Sequence, residues 1–414
     1  MKRIIPFLLV SVLFAHPVSA MTAWRSVWSN EDDNVTISRE EYDRLSRFEK
    51  LAEIYDEIEE IYYVDPDEEA MLRGAIDGML LALEDPYTYY YSPDEWEEMW
   101  EEVGTEYAGI GIEMLADYDR DTVTITRVFK NSPAEREGVC RGDRLIRVGE
   151  MTVTAENMYD ASDLIRNSGG GPVELEVIRG SESLTFSLVP EVIKTEWVET
   201  TMLENSVGLL TFYEFSDEAD EMFRKGLAEL EAQGAKSLII DLRGNTGGWL
   251  DIAETIGDIF LDHELLYYSE DRQGNRDEYY TSDGKDDIPL VILVNGETAS
   301  ASELLSGSLQ DHGRAVLVGE QTYGKGVMQF VDSLDGVDGR EDGIQITCAQ
   351  FFMPSGKAVH KTGIAPDIVV EMPQELIGMV FDPGDMEDPQ MKRAYEEAAA
   401  MAGPAEVDTL EPAA

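Results

Sequence analysis

The sequence is poor in residues that bind metals. It has two cysteines and four histidines among 414 residues. Cys140 and Cys348 lie 208 positions apart, in segments that differ in composition, and we therefore expect two buried, unpaired thiols rather than a disulfide. No cluster of residues has metal-ligand spacing, so the sequence predicts neither a metal site nor a cofactor.

Positive charge is also scarce. The chain has 32 Lys and Arg against 85 Asp and Glu, a formal net charge of −53. Phosphates and anionic membrane surfaces repel so acidic a body, which argues against a nucleic-acid partner and favours cationic ones. Hydrophobic residues make up 43% of the chain, enough for real cores, and the length predicts two or three domains.

The chain lacks a hydrophobic run long enough to cross a membrane. At the N-terminus, Lys2 and Arg3 precede a short apolar stretch, 4–15, and small residues follow up to Ala20. This pattern is typical of a secretory signal peptide cleaved after Ala20, with a retained N-terminal anchor as the alternative. We therefore expect an exported protein in the periplasm, in the cell envelope or secreted.

The rest of the sequence predicts a multidomain α/β protein. Apolar residues at three- and four-residue steps predict an N-terminal helical region over 21–102, interrupted at Asp65-Pro66-Asp67. Short alternating strands and one helix fill 103–190, a small β-rich module. Strands alternate with helices over 191–381, and 382–414 is an acidic tail with one helix near 389–401 and a disordered end.

Three stretches of the α/β region have the residue types of a hydrolase site. The first, Asp241 to Gly248, leads from an apolar strand through three glycines into a helix, so its amides can turn toward an anion. It lacks the lysine and the spacing of a phosphate loop. An ordinary strand-to-helix turn is the alternative.

The second stretch places Ser300 at the start of a helix, just after the apolar strand LVILVN. Its hydroxyl would lie at a strand end, and the next amide, on Ala301, would be free to stabilise an oxyanion. The alternative is a capping box formed by Ser300 and Glu303. Ser302 is the competing serine.

The third stretch is a glycine loop around a lysine. Lys325 lies between Gly324 and Gly326, after the apolar strand AVLVGE. Burial would lower the pKa of its ammonium and make the neutral amine a base for a serine hydroxyl. Gln329, four residues on, is placed to orient that amine. A solvated surface lysine is the alternative, but the three stretches together indicate a Ser/Lys hydrolase.

A histidine base fits less well. His312 follows Ser300 by 12 positions near the far end of the same predicted helix, roughly 18 Å away at 1.5 Å per residue. His263 and His360 lie in polar contexts without an evident carboxylate to orient them. A Ser-His triad is therefore disfavoured.

The motifs resemble those of the carboxyl-terminal processing proteases, PDZ-containing serine peptidases of the tail-specific type. The resemblance runs from about residue 50 to residue 400, and its main motifs are GAIDGMLLALEDPYTYY, YAGIGIEM, IDLRGNTGG and VNGETASASELLSGSLQDHGRAVLVGEQTYGKGVMQ. It implies a protease core with the ββα superhelix of Clp proteases and crotonases, and a PDZ domain over 103–190 that gates access to the active site.

The resemblance also implies roles for the site residues. Ser300 would be the nucleophile and Lys325 the general base, at the family's spacing of 25 residues. Gln329 would position the lysine. The amides of Ala301 and Gly247 would form the oxyanion hole, with Gly248 as the alternative to Gly247.

The PDZ module would bind a peptide as an added strand and hold its C-terminal carboxylate on loop amides. The carboxylate-binding loop implied here is Gly109-Ile110-Gly111-Ile112, with the two isoleucines lining an apolar pocket. Arg166 is a weaker candidate for sensing the carboxylate, and a plain surface arginine is the alternative.

We therefore expect an exported endopeptidase that binds unstructured protein or peptide C-termini and requires no cofactor. A homodimer and an envelope-associated activator are further partners that relatives suggest. The alternatives are a non-catalytic PDZ protein that captures C-termini, and a Ser/Lys hydrolase of small amides.

Overall fold

The computed structural model describes residues 36–102, 106–282, 284, 286–335 and 340–403. The predicted signal peptide and the end of the acidic tail lie outside these residues. The chain divides into two compact units at Ile76 and Asp77. None of the described helices is both long enough and apolar enough to span a bilayer.

The first unit is helical, as predicted. It contains α1 (Arg39–Leu45), a 3-10 turn (Ser46–Phe48), α2 (Glu49–Ile61) and the start of α3 (Glu68–Leu81). The predicted break at Asp65-Pro66-Asp67 separates α2 from α3. At this break the Asp67 side chain accepts a hydrogen bond from the amide of Ala70 at 3.0 Å.

The β-rich module lies in the second unit, after β1 (Tyr89–Tyr91) and α4 (Pro93–Glu102). The strands of its main sheet are β3 (Ile112–Asp117), β4 (Thr122–Val128), β5 (Arg144–Val148), β6 (Met151–Thr152), β7 (Val173–Arg179) and β8 (Glu182–Leu188). Its helices are α5 (Pro133–Glu137) and α6 (Met158–Arg166). The residues of α6 match the predicted helix.

Two further strands close the module. β2 (Glu106–Gly109) pairs antiparallel with β9 (Glu191–Lys194), so pairing continues beyond the predicted boundary at residue 190. In the main sheet the strand order is β3-β4-β5-β7-β8, which leaves β3 at an edge of the described sheet. An edge strand has one row of backbone groups free to pair with another chain.

The α/β region is built on a mostly parallel sheet. Its strands are β10 (Val198–Leu203), β11 (Val207–Phe212), β12 (Ser237–Asp241), β15 (Leu290–Val294), β16 (Ala315–Gly319) and β19 (Ile368–Val369), in that spatial order. Only β10 runs antiparallel to its neighbour among these strands. Strands buried on both faces account for the continuous apolar runs in the sequence.

Helices cover both faces of this sheet. α7 (Ala219–Ala232), α8 (Leu250–Phe260) and α9 (Ala301–Asp311) belong to one hydrophobic cluster with Leu238, Ile240 and Ile292. The alternate residues Ile239, Val291 and Leu293 belong to a second cluster with α10 (Pro389–Ala402). The predicted helix near 389–401 is therefore part of the core.

A second, antiparallel sheet was only partly predicted. Its long strand β18 (Glu341–Phe352) pairs with β17 (Val327–Asp335), with β1 and with β13 (Leu265–Asp271), which in turn pairs with β14 (Arg276–Tyr280). The sequence indicated β18 but not its partners. The β1 pairing joins segments more than 250 residues apart, which no local pattern reveals.

The cysteine prediction was half right. Cys140 and Cys348 are unpaired, but both are exposed rather than buried. Cys140 follows the short helix α5, and Cys348 lies on β18, so neither belongs to the hydrophobic clusters described above.

Candidate active site

The three candidate stretches meet at one edge of the main sheet. β12, β15 and β16 are adjacent and parallel, and each stretch follows one of these strands. Carboxyl ends of parallel strands lie at the same edge, where sites of α/β proteins collect. The structure therefore brings together the glycine loop, the Ser300 turn and the Lys325 loop, as the sequence indicated.

Ser300 lies in a strained turn at the start of α9. Its backbone has φ 55° and ψ −119°, a conformation that L-residues rarely adopt. Strain of this kind costs about 1–3 kcal/mol and persists where the surroundings enforce it, often at functional sites. Ser300 is 7% exposed and Ala301 is fully buried. The turn thus presents a nearly buried hydroxyl beside the first amide of a helix.

Ser302 has a different environment. Its hydroxyl is fully buried and donates to the carbonyl oxygen and the side-chain Oδ1 of Asn245, at 3.1 and 2.8 Å. Asn245 in turn donates from Nδ2 to the carbonyl of Phe212 at 2.8 Å. Ser302 therefore holds the glycine loop against α9.

Glu303 joins the serine turn to the lysine loop. Its Oε2 accepts the amide of Ser300 at 3.0 Å, which is one half of the capping box. The same carboxylate accepts the amides of Gly324 and Lys325, at 2.7 and 2.8 Å, and the hydroxyl of Thr322. Burial raises the pKa of Glu303, against these four hydrogen bonds. One side chain thus fixes the backbones of both candidate catalytic residues.

Lys325 has the environment that the mechanism requires. Burial lowers the pKa of its amine below the usual value, while the nearby carboxylates of Asp85 and Glu303 act in the opposite direction. Its Nζ lies 4.9 Å from the centroid of the Tyr87 ring. The neutral amine is therefore favoured relative to a lysine in water.

Gln329 follows the lysine on β17. Its Nε2 donates to the hydroxyl of Thr347 on β18, at 3.2 Å, and the two residues face each other in the strand register. The hydrogen bond recorded for this side chain thus leads to Thr347, and an orienting role toward Lys325 stays a prediction.

The glycine loop lies against the nucleophile. A Cβ on Gly247 (φ 103°) would lie 2.7 Å from the Cβ of Ser300 and 2.9 Å from the amide nitrogen of Ala301, so no larger residue fits there. The amide of Gly247, however, donates to Asn245 Oδ1 at 2.9 Å.

Gly248 is the better placed donor. Phe215 donates to the carbonyl of Gly247 and accepts from the amide of Trp249, at 2.9 and 2.7 Å, which forms a parallel bridge around Gly248. In such a bridge the central residue directs its own amide to the other side. No acceptor is recorded for that amide in the described part of the chain, so the geometry favours Gly248 over Gly247.

The loop is also tied to the last helix. Arg243 donates to Asp241, to Asp388 at the start of α10 at 2.6 Å, and to Gln390 at 3.1 Å. The Asp388 side chain in turn accepts the amides of Gln390 and Met391 and so caps α10.

The histidines lie as follows. His312 ends α9 and its Nε2 lies 2.8 Å from the carbonyl oxygen of Leu265, away from the serine turn. His263 is exposed on the surface. His360 packs its backbone against Gly326 of the lysine loop, a position the sequence did not suggest.

In the PDZ module, the predicted loop has a free edge. The amides of Ile110 and Gly111 have no backbone acceptor among the described residues, as a carboxylate-binding loop requires. The Ile110 side chain is 2% exposed and packs in the module's core, so it does not line an open pocket. Ile112 is half-buried on the edge strand β3. Arg166 is exposed at the end of α6, within electrostatic range of the Tyr107 hydroxyl.

The module contacts the α/β region through two arginines. The guanidinium of Arg127 lies 3.5 Å from the ring centroid of Tyr213, and Arg141 donates to the Tyr213 hydroxyl at 3.0 Å. Tyr213 lies between Phe212 and Phe215, the two residues whose backbones bind the glycine loop.

Sequence reasoning missed the groups that surround the lysine. Asp85 and Tyr87 lie in a turn between α3 and β1, more than 200 residues before Lys325. Thr347 lies on β18. Their motif, DPYTYY, was part of the family resemblance, but nothing local in it indicates proximity to a lysine.

Comparison with known proteins identifies the family. Residues 206–370 match peptidase family S41, 124–179 match a PDZ domain, and 16–94 match the N-terminal domain of the activating protease CtpB. Carboxy-terminal processing protease CtpA of Bacillus subtilis is 32% identical over 331 residues, 79% of this chain and 70% of that protein. A carboxyl-terminal-processing protease of Synechocystis sp. is 33% identical over 321 residues, 76% of this chain and 74% of that protein.

Solved structures agree. The photosystem II D1 C-terminal processing protease superposes with a TM-score of 0.54 at 28% identity, over 85% of this chain and 92% of that one. The described architecture, with a helical N-terminal region, a PDZ domain and a mixed α/β protease core, is that of the S41 proteases. The chain therefore belongs to the carboxy-terminal processing proteases, serine peptidases of family S41.

Proposed function

We propose that this protein is an exported endopeptidase that captures unstructured C-termini in its PDZ groove and cleaves them with a Ser300/Lys325 pair. The observation that carries the proposal is the Glu303 carboxylate, which binds the amides of Ser300 and Lys325. This contact fixes a strained serine beside a lysine whose amine is depleted of its proton.

The chemistry proceeds through an acyl-enzyme. Neutral Lys325 removes the proton of the Ser300 hydroxyl as Oγ attacks the substrate carbonyl carbon. The amide of Ala301 and a glycine amide, Gly248 in preference to Gly247, stabilise the oxyanion. The ammonium of Lys325 then donates the proton to the leaving amine. Water, activated by the same lysine, releases the acyl group and restores the serine.

The PDZ module supplies substrate recognition. A C-terminal peptide would add to the free edge of β3 and place its carboxylate on the amides of Ile110 and Gly111. The stack of Arg127 on Tyr213 connects this module to the backbone that binds the glycine loop, which supports a gating role for the module.

The decisive test uses the purified protein and an unfolded reporter protein ending either in apolar or in charged residues. We expect the wild type to cleave the apolar-tailed reporter faster, and the Ser300→Ala and Lys325→Ala variants to be inactive. Ser302→Ala and Lys361→Ala are the matched controls, because they remove the same groups nearby, and they should retain labelling by a fluorophosphonate.

Two outcomes favour the rivals. Equal binding of the apolar tail by wild type and Ser300→Ala, without cleavage by either, indicates a capture protein. Turnover of small amides or esters without any protein cleavage indicates a small-molecule hydrolase, for which the PDZ module has no evident use.

Export and assembly belong to the same proposal. Residues 1–20 would direct export, and the N-terminus of the protein recovered outside the cytoplasm should then be Met21. In the first unit, α2 exposes Leu51, Ile54 and Ile61, a face that a second copy would cover. Light scattering of a Leu51→Glu and Ile54→Glu double variant should show a monomer where the wild type shows a dimer.

A further inference from the structure

A turn from the N-terminal end of the second unit lies beside the candidate base. Tyr87 of this turn places its ring centroid 4.9 Å from the Nζ of Lys325. The turn precedes β1, which pairs with β18 (Tyr89 opposite Gln345) and so anchors it to the sheet that contains β17. The carbonyl of Tyr87 accepts the side-chain amide of Gln345 at 3.0 Å, which fixes the turn further.

Asp85 of the same turn is held rigidly. Its carboxylate accepts the amide of Tyr87 at 3.0 Å and the hydroxyl of Thr88 at 2.6 Å. The hydroxyl of Thr347 binds it as well, and Thr347 accepts the side-chain amide of Gln329. Gln329 therefore ends a chain of hydrogen bonds that leads through Thr347 to Asp85.

The charges around the lysine come from several elements. The carboxylates of Asp85 and Glu303 face Lys325, and the Tyr87 ring lies over its Nζ. Tyr87 hydrogen-bonds Tyr323 of the lysine loop. On the far side of Asp85 lies His360, whose pKa is lowered by burial and by Lys361. Burial would raise the pKa of Asp85, but its hydrogen bonds lower it, so the carboxylate is charged at neutral pH.

Glu303 and Asp85 have different tasks. Glu303 uses its two oxygens on backbone amides and one hydroxyl, and so fixes the loop. Asp85 faces the lysine from the opposite element and reaches its side chain rather than its backbone. An anion and an aromatic face near an amine both favour its ammonium form.

We propose that Asp85 and Tyr87 are positioning residues of the reaction, which orient the Lys325 side chain and stabilise the ammonium formed when it takes the Ser300 proton. This inference rests on the proposed Ser/Lys function. The ammonium exists only between two steps: the Ser300 proton passes to Nζ as the Oγ–C bond forms, and it passes on to the leaving nitrogen as the C–N bond breaks. Stabilising that cation lowers the barrier of the first step.

The sign of the pH effect follows. Without the Asp85 charge, the pKa of Lys325 falls further, so the acid limb of the kcat/KM profile moves to lower pH, by roughly one unit for an opposite charge at this range. The plateau falls as well, by at most about tenfold for each unit of lost basicity. A purely structural role would lower the plateau and leave the limb in place.

The test compares Asp85→Asn and Tyr87→Leu with two matched controls. Tyr87→Phe keeps the ring, and Glu176→Gln removes a carboxylate of the PDZ module that is likewise bound by a hydroxyl, from Ser183. The pH profile of reporter cleavage is measured together with competitive acetylation of Lys325, read by peptide mass, which reports the pKa of the amine without turnover. We expect the acid limb and the acetylation midpoint to move to lower pH in both test variants and in neither control.

Each outcome decides the inference. An unmoved midpoint in folded Asp85→Asn overturns it, and if thermal melting shows that this variant is unfolded, Tyr87→Leu decides in the same way. If wild type does not cleave but its acetylation midpoint is still moved by the substitutions, the proposed function fails and the electrostatic assignment stands. If wild type cleaves and the midpoint does not respond, the function stands and the assignment fails.

Discussion

At the scale of single residues, Glu303 determines the geometry of the site. It is fully buried and accepts four hydrogen bonds, from Ser300, Thr322, Gly324 and Lys325. A buried carboxylate with every donor matched stabilises the surrounding backbone, whereas a single mismatched donor there is costly. The strain at Ser300 persists because this carboxylate holds the turn on its helix side.

We predict that Glu303→Gln inactivates the protein and destabilises it. The amide nitrogen of glutamine would face the backbone N–H donors that the carboxylate now accepts, at a cost of about 1–3 kcal/mol for the unsatisfied group. Denaturant unfolding measures the stability, and fluorophosphonate labelling measures the nucleophile. Glu297→Gln, on the exposed part of the same turn, is the control. Normal labelling of Glu303→Gln would contradict this role.

At the scale of elements, the glycine loop and the serine turn form one unit. The amide of Ala299 donates to the carbonyl of Asn245, and Thr298 donates to that of Leu242, at 3.1 and 2.8 Å. Their separation therefore depends on the absence of a side chain at Gly247. A displacement of either segment alters the distance between the Ser300 hydroxyl and the oxyanion donors.

The matched pair Gly247→Ala and Gly234→Ala isolates this dependence. Both glycines have positive φ, 103° and 94°, but an added Cβ meets Ser300 only at Gly247 and open space at Gly234. Both variants lose roughly 1–2 kcal/mol of stability from the backbone conformation alone. We expect a loss of cleavage of at least about a hundredfold, as for a lost oxyanion donor, at Gly247 only. Equal activity of the two variants would separate the loop from catalysis.

A second matched pair concerns the PDZ loop. Gly111 and Gly142 have φ of 80° and 84°, and a Cβ would lie 2.2 Å from Ser132 at Gly111 but meet nothing at Gly142. If the loop holds the substrate carboxylate, Gly111→Ala should weaken binding of an apolar-tailed peptide by about tenfold or more, or ~1.4 kcal/mol. Fluorescence anisotropy with the Ser300→Ala protein as background measures it. A similar loss for Gly142→Ala would point to general destabilisation instead.

At the scale of the whole molecule, the net charge of −53 is the dominant feature. Its field extends roughly 30 Å at 0.01 M salt and about 3 Å at 1 M salt. Charge of this size affects association more than the chemical step. Substrates with basic segments should therefore be favoured at low ionic strength.

We predict that kcat/KM for a reporter with a lysine-rich segment before its apolar tail falls several-fold between 0.01 and 0.5 M salt, because screening shortens the attraction. The same reporter with neutral residues in that segment is the control and should change little. Initial rates at substrate concentrations below KM measure the effect. A parallel response of both reporters would show that salt acts on the enzyme and not on the encounter.

The sequence predicted most of what is local and little of what is distant. Periodicity located α6 and α10, and the apolar runs located β12, β15 and β16, because strands and helices of a buried layer have strong patterns. The β13–β14 hairpin and the pairing of β1 with β18 were missed, since their partners are far apart in the chain. At the site, Ser300 and Lys325 follow from their positions after strands. The second task of Glu303 and the position of Asp85 depend on contacts that no local spacing encodes.

The hydrogen bonds of Arg243 also affect when the site is complete. This residue belongs to the glycine loop, and its partners Asp388 and Gln390 lie about 145 positions later, at the start of α10. During synthesis, the segment that carries Ser300 and Lys325 emerges well before α10. Until α10 packs on the sheet, Arg243 retains Asp241 but lacks its second carboxylate, and one face of the sheet is uncovered. The glycine loop therefore reaches its final form only after nearly the whole chain has been made, which delays proteolytic activity until folding is finished.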